Sequence, residues 1–346
     1  MNWNLLLEMS DAFGIPSQEE EMAGILEREL LKHMPVKRDR IGNVIGETSG
    51  EGPKIMLGAH MDEIGLMVKF INEKGFIKFI KVGGIDDRVL LNQRVIIKTS
   101  KGKVFGTIGN KPPHLQKDDD KKKIIEVKNM FIDVGARSRE EAKTLGVRIG
   151  DGIGFEAGAK EIGIGNNFIT GKGLDDRVGC FVLAELAARV RNKNLVFVGT
   201  TQEEVSTFGK GAMISAYVNK PDYFIAIDTG IATDHPECSE DENPVSLEKG
   251  PAITLVEAGG RGNVSDRKLV NWLISTAEEN RIPYQLEAIE GGSTDAAHVY
   301  NVKEGIPSVA VSIPVRYIHS NVGVLGKKDV EWTISLMEKA LQTRIE

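Results

Sequence analysis

Cysteine is scarce in this chain. Cys180 and Cys238 are its only two, with neither a CxxC spacing nor enough partners for a disulfide framework. That excludes a cystine-stapled scaffold and fits a cytoplasmic setting. No apolar run approaches the roughly 20 residues of a membrane span, so no membrane partner is expected. Met1 to Ser10 lack a basic segment followed by an apolar one, so no signal peptide is expected. No internal repeat is visible. Positive charge is in deficit, with 44 Lys and Arg against 50 Asp and Glu, a net charge of −6. That balance disfavours a nucleic-acid partner.

Apolar residues, by contrast, are plentiful at 41%, enough at this length to bury the cores of two domains. Glycine, at 38 residues, points to many short turns and close backbone approaches.

The pattern implies an α/β fold with a mixed central sheet and helices on both faces, interrupted by a β-rich insertion. Residues 1–67 and 166–346 form the α/β part and 68–165 the insertion. Leu5 to Phe13 and Glu19 to His33 read as helices, the second with a Ser17/Glu20 capping box. Lys54 to Ala59 reads as a buried strand. Within the insertion, short β segments alternate with glycine turns, and Ser138 to Leu145 is the main helical stretch. The charge run Gln116 to Lys123 reads as a solvated loop. Helices are then expected over Asp175–Arg191, Gly209–Tyr217, Val264–Asn280 and Lys328–Arg344. Strands are expected over Leu195–Thr200, Tyr223–Ile227 and Pro307–Ile313. Strands separated by helices imply a largely parallel or mixed sheet.

Several of these strands end in acidic or imidazole side chains. Lys54–Ala59 runs into His60, Asp62 and Glu63; Leu195–Thr200 into Glu203 and Glu204. Tyr223–Ile227 ends in Asp228, and His319 follows the last strand. Ligands bind outside the carboxyl ends of strands in open α/β sheets, so these groups can share one crevice. Each alone has a common structural role as a turn residue, helix cap or packed histidine. Together they are hard or borderline metal-ligand types. In an extended segment His60 and Asp62 point to the same side, so Asp62 can orient the imidazole. One of Asp175 and Asp176 can bridge two cations about 3.5–4 Å apart, although both also suit a helix start. Of Glu203 and Glu204, one can bind metal while the other takes a proton from water.

These motifs resemble those of the tetrahedral aminopeptidases, relatives of glutamyl and deblocking aminopeptidases. The matching stretches are Gly58–Gly65 (GAHMDEIG), Val82–Leu90, Gly109–Leu115, Asp133–Ala142, Gly171–Cys180 (GKGLDDRVGC), Thr201–Val205 (TQEEV), Gly291–Ala297 (GGSTDAA) and Ser312–Ser320 (SIPVRYIHS). The resemblance covers nearly the whole chain, in order. It implies two divalent cations, zinc or cobalt, bridged by Asp175. His60 and Asp228 would complete one site, Glu204 and His319 the other. Glu203 would be the general base and then acid for a metal-bridged hydroxide, and Asp62 the catalytic partner of His60. The insertion resembles a PDZ-like assembly domain. The implied activity is removal of the N-terminal residue from short peptides by a tetrahedral homo-dodecamer built from dimers.

Two segments depart from that pattern. Thr229 to Pro244 is unusually acidic, holds His235 and Cys238, and follows Asp228, which places it beside the substrate pocket. Ser293 and His298 modify the Gly-rich motif. The same ligand set also serves carboxypeptidases and deacylases. A cellulase would instead need two carboxylates flanking a sugar without metal, which five candidate ligands oppose. A non-catalytic assembly protein would have no use for Glu203.

Overall fold

Period-two alternation along four buried strands builds two apolar cores. Ile55 and Leu57 of Glu51–His60 face one side and Met56 the other. In Lys193–Thr200, Leu195 and Phe197 oppose Val196 and Val198. Ile225 and Ile227 of Tyr223–Ile231 oppose Phe224 and Ala226. Val309 and Val311 of Ser308–Arg316 oppose Ala310. Helices Trp3–Asp11, Glu20–Leu30, Leu174–Arg189, Arg267–Asn280 and Lys327–Ala340 pack on the first face. Lys210–Asn219 and Asp295–Val299 cover the second. Strands buried on both faces read as near-continuous apolar runs, which is why they are legible in the sequence.

The computed structural model describes residues 1–116, 123–206, 209–239 and 241–345. Eleven strands form the central sheet. At its middle, Lys193–Thr200, Glu51–His60, Tyr223–Ile231 and Ser308–Arg316 lie side by side, all parallel. Antiparallel strands flank them: Val44–Glu47 on one side, Gly323–Gly326 on the other. Ala252–Val256 also pairs with Ser308–Arg316, and with Gln285–Ala288 beyond it. The four parallel strands therefore deliver their carboxyl ends to one edge of the molecule. Among the described residues no helix is long and apolar enough to cross a membrane.

The chain leaves the sheet after His60 and enters a closed six-stranded barrel at Gly65. Its strands are Gly65–Ile71, Ile77–Val82, Arg94–Thr99, Gly102–Ile108, Ile132–Asp133 and Gly152–Phe155. Alternate residues such as Leu66, Val68, Ile77, Phe79, Val95 and Ile97 fill it with a core of its own. Arg139–Thr144 is helical and capped by the Ser138 hydroxyl, which accepts from the Glu141 amide at 3.1 Å. Lys160–Ile162 then pairs with Phe168–Gly171 and rejoins the central sheet. Most of the charge run, residues 117–122, lies outside the described residues.

One local expectation fails. Ser17 does not cap the second helix, which begins at Glu20 behind Glu19. Ser17 sits in left-handed backbone (φ 70°), and its amide donates to Glu19 Oε1 at 2.9 Å. The spacing suits a cap, but the helix starts too late to use it.

Candidate metal centre

The parallel strand ends bring the predicted groups together. His60 closes its strand, and Asp228 lies within the neighbouring one. Glu203 and Glu204 follow Thr200, and His319 follows Arg316. Asp175 arrives from the start of Leu174–Arg189, where Asp175 and Asp176 depart from helical backbone.

Asp175 lies between the two imidazoles. Its Oδ1 is 3.2 Å from His60 Nε2 and its Oδ2 is 3.4 Å from His319 Nε2. His60 Nε2 also faces Glu203 Oε2 at 3.8 Å and Asp228 Oδ1 at 3.9 Å. His319 Nε2 faces Glu204 Oε2 at 3.3 Å. Each ring's other nitrogen meets a backbone carbonyl: His60 Nδ1 is 3.1 Å from the Asp62 carbonyl and His319 Nδ1 is 2.7 Å from that of Gly84. A carbonyl can only accept, so both Nδ1 atoms carry protons. Both Nε2 lone pairs then point at carboxylate oxygens. That arrangement calls for a cation or a proton between them.

The electrostatics say the same. Burial opposes charge on His60, but Asp175, Asp62, Glu203 and Asp228 hold its pKa well above the ordinary value. His319 is raised to about 9 against the effect of burial, chiefly by Asp175 and Glu204. Burial, with like charges nearby, raises Glu204 to about 8 and Asp228 to about 7, and pushes Glu203 well above the usual carboxyl range. Asp175 goes the other way: burial works to raise it, and the two histidines overcome that. Glu204 Oε1 is buried without a hydrogen-bond partner. So many mutually repelling carboxylates, one with an orphaned oxygen, fit cations held among them. Among the described residues two groups bring potential ligand atoms within 4.8 Å of one another: His60, Asp175 and Glu204, and His60, Asp176 and Asp228.

Asp176 is already engaged. Its Oδ2 accepts the His60 amide at 3.2 Å and its Oδ1 that of Gly179 at 2.9 Å. Asp62 has a second engagement beside His60. Its carboxylate accepts the amides of Glu203 at 3.0 Å and Glu204 at 3.1 Å. Asp62 Oδ1 is 3.6 Å from His60 Nδ1, farther than its own carbonyl. The carboxylate thus holds the two glutamates, while the backbone makes the ring's nearer contact.

A cavity of about 280 Å³ opens over these groups. Thr229, Gly230 and Ile231 line it, as does Ser293, whereas half-buried His235 and exposed Cys238 lie farther along the acidic stretch. Sequence reasoning missed Asp295, Glu257 and Glu287. Asp295 accepts from the Thr200 hydroxyl at 2.6 Å and raises the Glu203 pKa. It sits within the GGSTDAA motif, so a signal existed. Glu257 and Glu287 line the cavity but have no motif around them.

Residues 42–336 match the family profile described as M42 glutamyl aminopeptidase. The chain is 31% identical to the lysyl aminopeptidase of Pyrococcus furiosus, across 99% of this chain and 97% of that protein. The structure of aminopeptidase APDkam598 from Desulfurococcus kamchatkensis superposes with a TM-score of 0.93 at 37% identity, covering 99% of this chain and 94% of that one. The TET1 peptidase of Pyrococcus horikoshii, which can assemble into a tetrahedron or a large octahedral shell, gives 0.88 at 36%, with 98% of each covered. On this evidence the chain belongs to the M42 glutamyl aminopeptidase family, and it is an aminopeptidase that hydrolyses peptide bonds.

Proposed function

We propose that the chain is a two-cation aminopeptidase removing the N-terminal residue from short peptides. His60, Asp175 and Asp228 would hold one divalent cation, and Asp175, Glu204 and His319 the other. The carrying observation is Asp175, whose two oxygens each face a histidine Nε2 that a backbone carbonyl leaves free to ligate. Mixed imidazole and carboxylate ligation suits zinc or cobalt. The cations supply Lewis acidity toward water and the scissile carbonyl.

Glu203 faces this cluster, with Oε2 3.8 Å from His60 Nε2. Its carboxylate carries a proton from the attacking water to the leaving amine. Asp62 positions it by holding its amide together with that of Glu204. Residues 68–165 would serve as a PDZ-like assembly domain on a catalytic body of 1–67 and 166–346, built into a cytoplasmic tetrahedral dodecamer. The tetrahedral assembly of the TET1 relative supports that reading.

A peptide, its N-acetylated form and its C-amidated form test the proposal. An aminopeptidase loses only the acetylated substrate. A carboxypeptidase loses only the amidated one, and full activity after thorough metal removal would end the two-cation reading. Relatives named for lysyl and glutamyl substrates share the family, so this chemistry does not itself set the side-chain preference.

A further inference from the structure

The cavity over the metal centre is also lined by Thr229, Gly230, Thr254, Glu257, Glu287 and Ser312. Glu257 and Glu287 are 1% and 2% exposed. Neither takes part in an ion pair among the described residues. Neutral groups hold them instead. Glu287 Oε1 accepts from Asn243 Nδ2 at 2.9 Å and Oε2 from the Thr254 hydroxyl at 2.8 Å. Glu257 Oε1 accepts from the Thr294 hydroxyl at 2.7 Å.

Buried carboxylates elsewhere are answered in two ways: Asp176 and Asp329 by backbone amides, and Glu63 by cations. Glu63, 1% exposed, meets Lys172 Nζ at 2.7 Å and Arg177 at 3.5 Å. A buried carboxylate without a cation is costly, and burial raises the pKa of both Glu257 and Glu287. What sets Glu257 and Glu287 apart is that both line a cavity, where a cation arriving with a ligand can reach them.

Two independent features point to the same occupant. Thr229 is 8% exposed, and its hydroxyl has no hydrogen-bond partner although the residue lines the cavity. Gly230 keeps the approach to Glu287 open: a Cβ there would stand 3.1 Å from Ser312 Cβ and 3.5 Å from Glu287 Oε1. Among the described residues no lysine or arginine lines the cavity. An acidic side chain would find no counter-charge, and an aliphatic one would leave both carboxylates unpaired.

We propose that this part of the cavity receives the substrate's N-terminal side chain and selects a basic one, lysine or arginine, with Glu287 setting the preference and Glu257 supporting it. The inference rests on the aminopeptidase reading and names its substrate class. A site built around a polar contact rejects an analogue lacking that group far more strongly than an apolar pocket rejects a missing methylene.

The test uses lysyl, norleucyl and glutamyl anilides on the metal-loaded protein. Norleucine keeps the length of lysine without its ammonium. The expected kcat/KM favours lysyl over norleucyl by at least about tenfold, with glutamyl slowest. In Glu287→Gln the lysyl-to-norleucyl ratio falls at least about tenfold, and in Glu257→Gln it falls less. A wild-type enzyme preferring norleucyl or glutamyl substrates overturns the proposal, and that result needs no variant to fold. So does an unchanged ratio in Glu287→Gln, which would assign the carboxylate to the substrate's α-amine or to the fold. Norleucyl cleavage without a lysyl preference sinks the pocket alone. Failure to cleave any of the three, with metal content verified, sinks the aminopeptidase reading and the pocket with it.

Discussion

Replacing Lys172 by Met should destabilise the protein by removing one member of a buried ionic network. Lys172 Nζ donates to Glu63 Oε1 at 2.7 Å and to the Ala12 carbonyl at 2.9 Å, and its side chain is only 5% exposed. Methionine matches the length of the stem and cannot supply either bond. Breaking a buried pair by removing one partner costs about 3–5 kcal/mol, because the other charge stays buried. Arg177 remains 3.5 Å from Glu63, so the low end of about 3 kcal/mol applies. At roughly 2 cal/mol/K per residue, 346 residues give an unfolding entropy near 0.7 kcal/mol/K, hence a Tm lower by about 4 °C. Scanning calorimetry at matched protein and metal concentrations measures it. A Lys172→Met protein melting within about 1 °C of wild type would refute the reasoning.

Other outcomes follow from the site. Glu203→Gln should retain both cations by elemental analysis while turnover falls about 10²–10⁴-fold; near-wild-type turnover would remove its role. Asp175→Asn should lower the bound metal per subunit, because the oxygen pair facing both imidazoles becomes one oxygen and one amide donor; unchanged stoichiometry would deny the bridge. Chelation should abolish peptide cleavage, and zinc or cobalt should restore it. Asp329, held at about 6 mainly by burial, accepts the amides of Glu248 and Gly250. Its raised pKa contributes stability that is present below the ordinary carboxyl value and lost as pH rises through about 6. Denaturant unfolding of Asp329→Asn should therefore give a flatter profile across that window, and an identical profile would contradict the assignment.

Much of the site was legible because four strands are buried on both faces. Such strands announce themselves as apolar runs, and their carboxyl ends are where ligands collect. His60, Glu203, Glu204 and Asp228 emerged that way. Asp175 and Asp176 could not be told apart by spacing. Backbone geometry separates them, spending Asp176 on two amides and leaving Asp175 to face two rings. The division of labour in Asp62 was equally hidden, since a carbonyl and a carboxylate of one residue cannot be assigned from a string of letters. Glu257 and Glu287 were invisible for a topological reason. Glu287 reaches the cavity only because Gln285–Ala288 pairs with Ala252–Val256, in a register that sets it beside Thr254.

Gly84 ties the barrel to the candidate metal centre. It lies between two barrel strands, yet its carbonyl accepts from His319 Nδ1, and a Cβ at that position would stand 3.0 Å from the same atom. Gln93, also between barrel strands, accepts from Asn321 two residues beyond His319. The two bodies are consequently not interchangeable parts. A chimera carrying a relative's barrel inherits that barrel's hold on the imidazole.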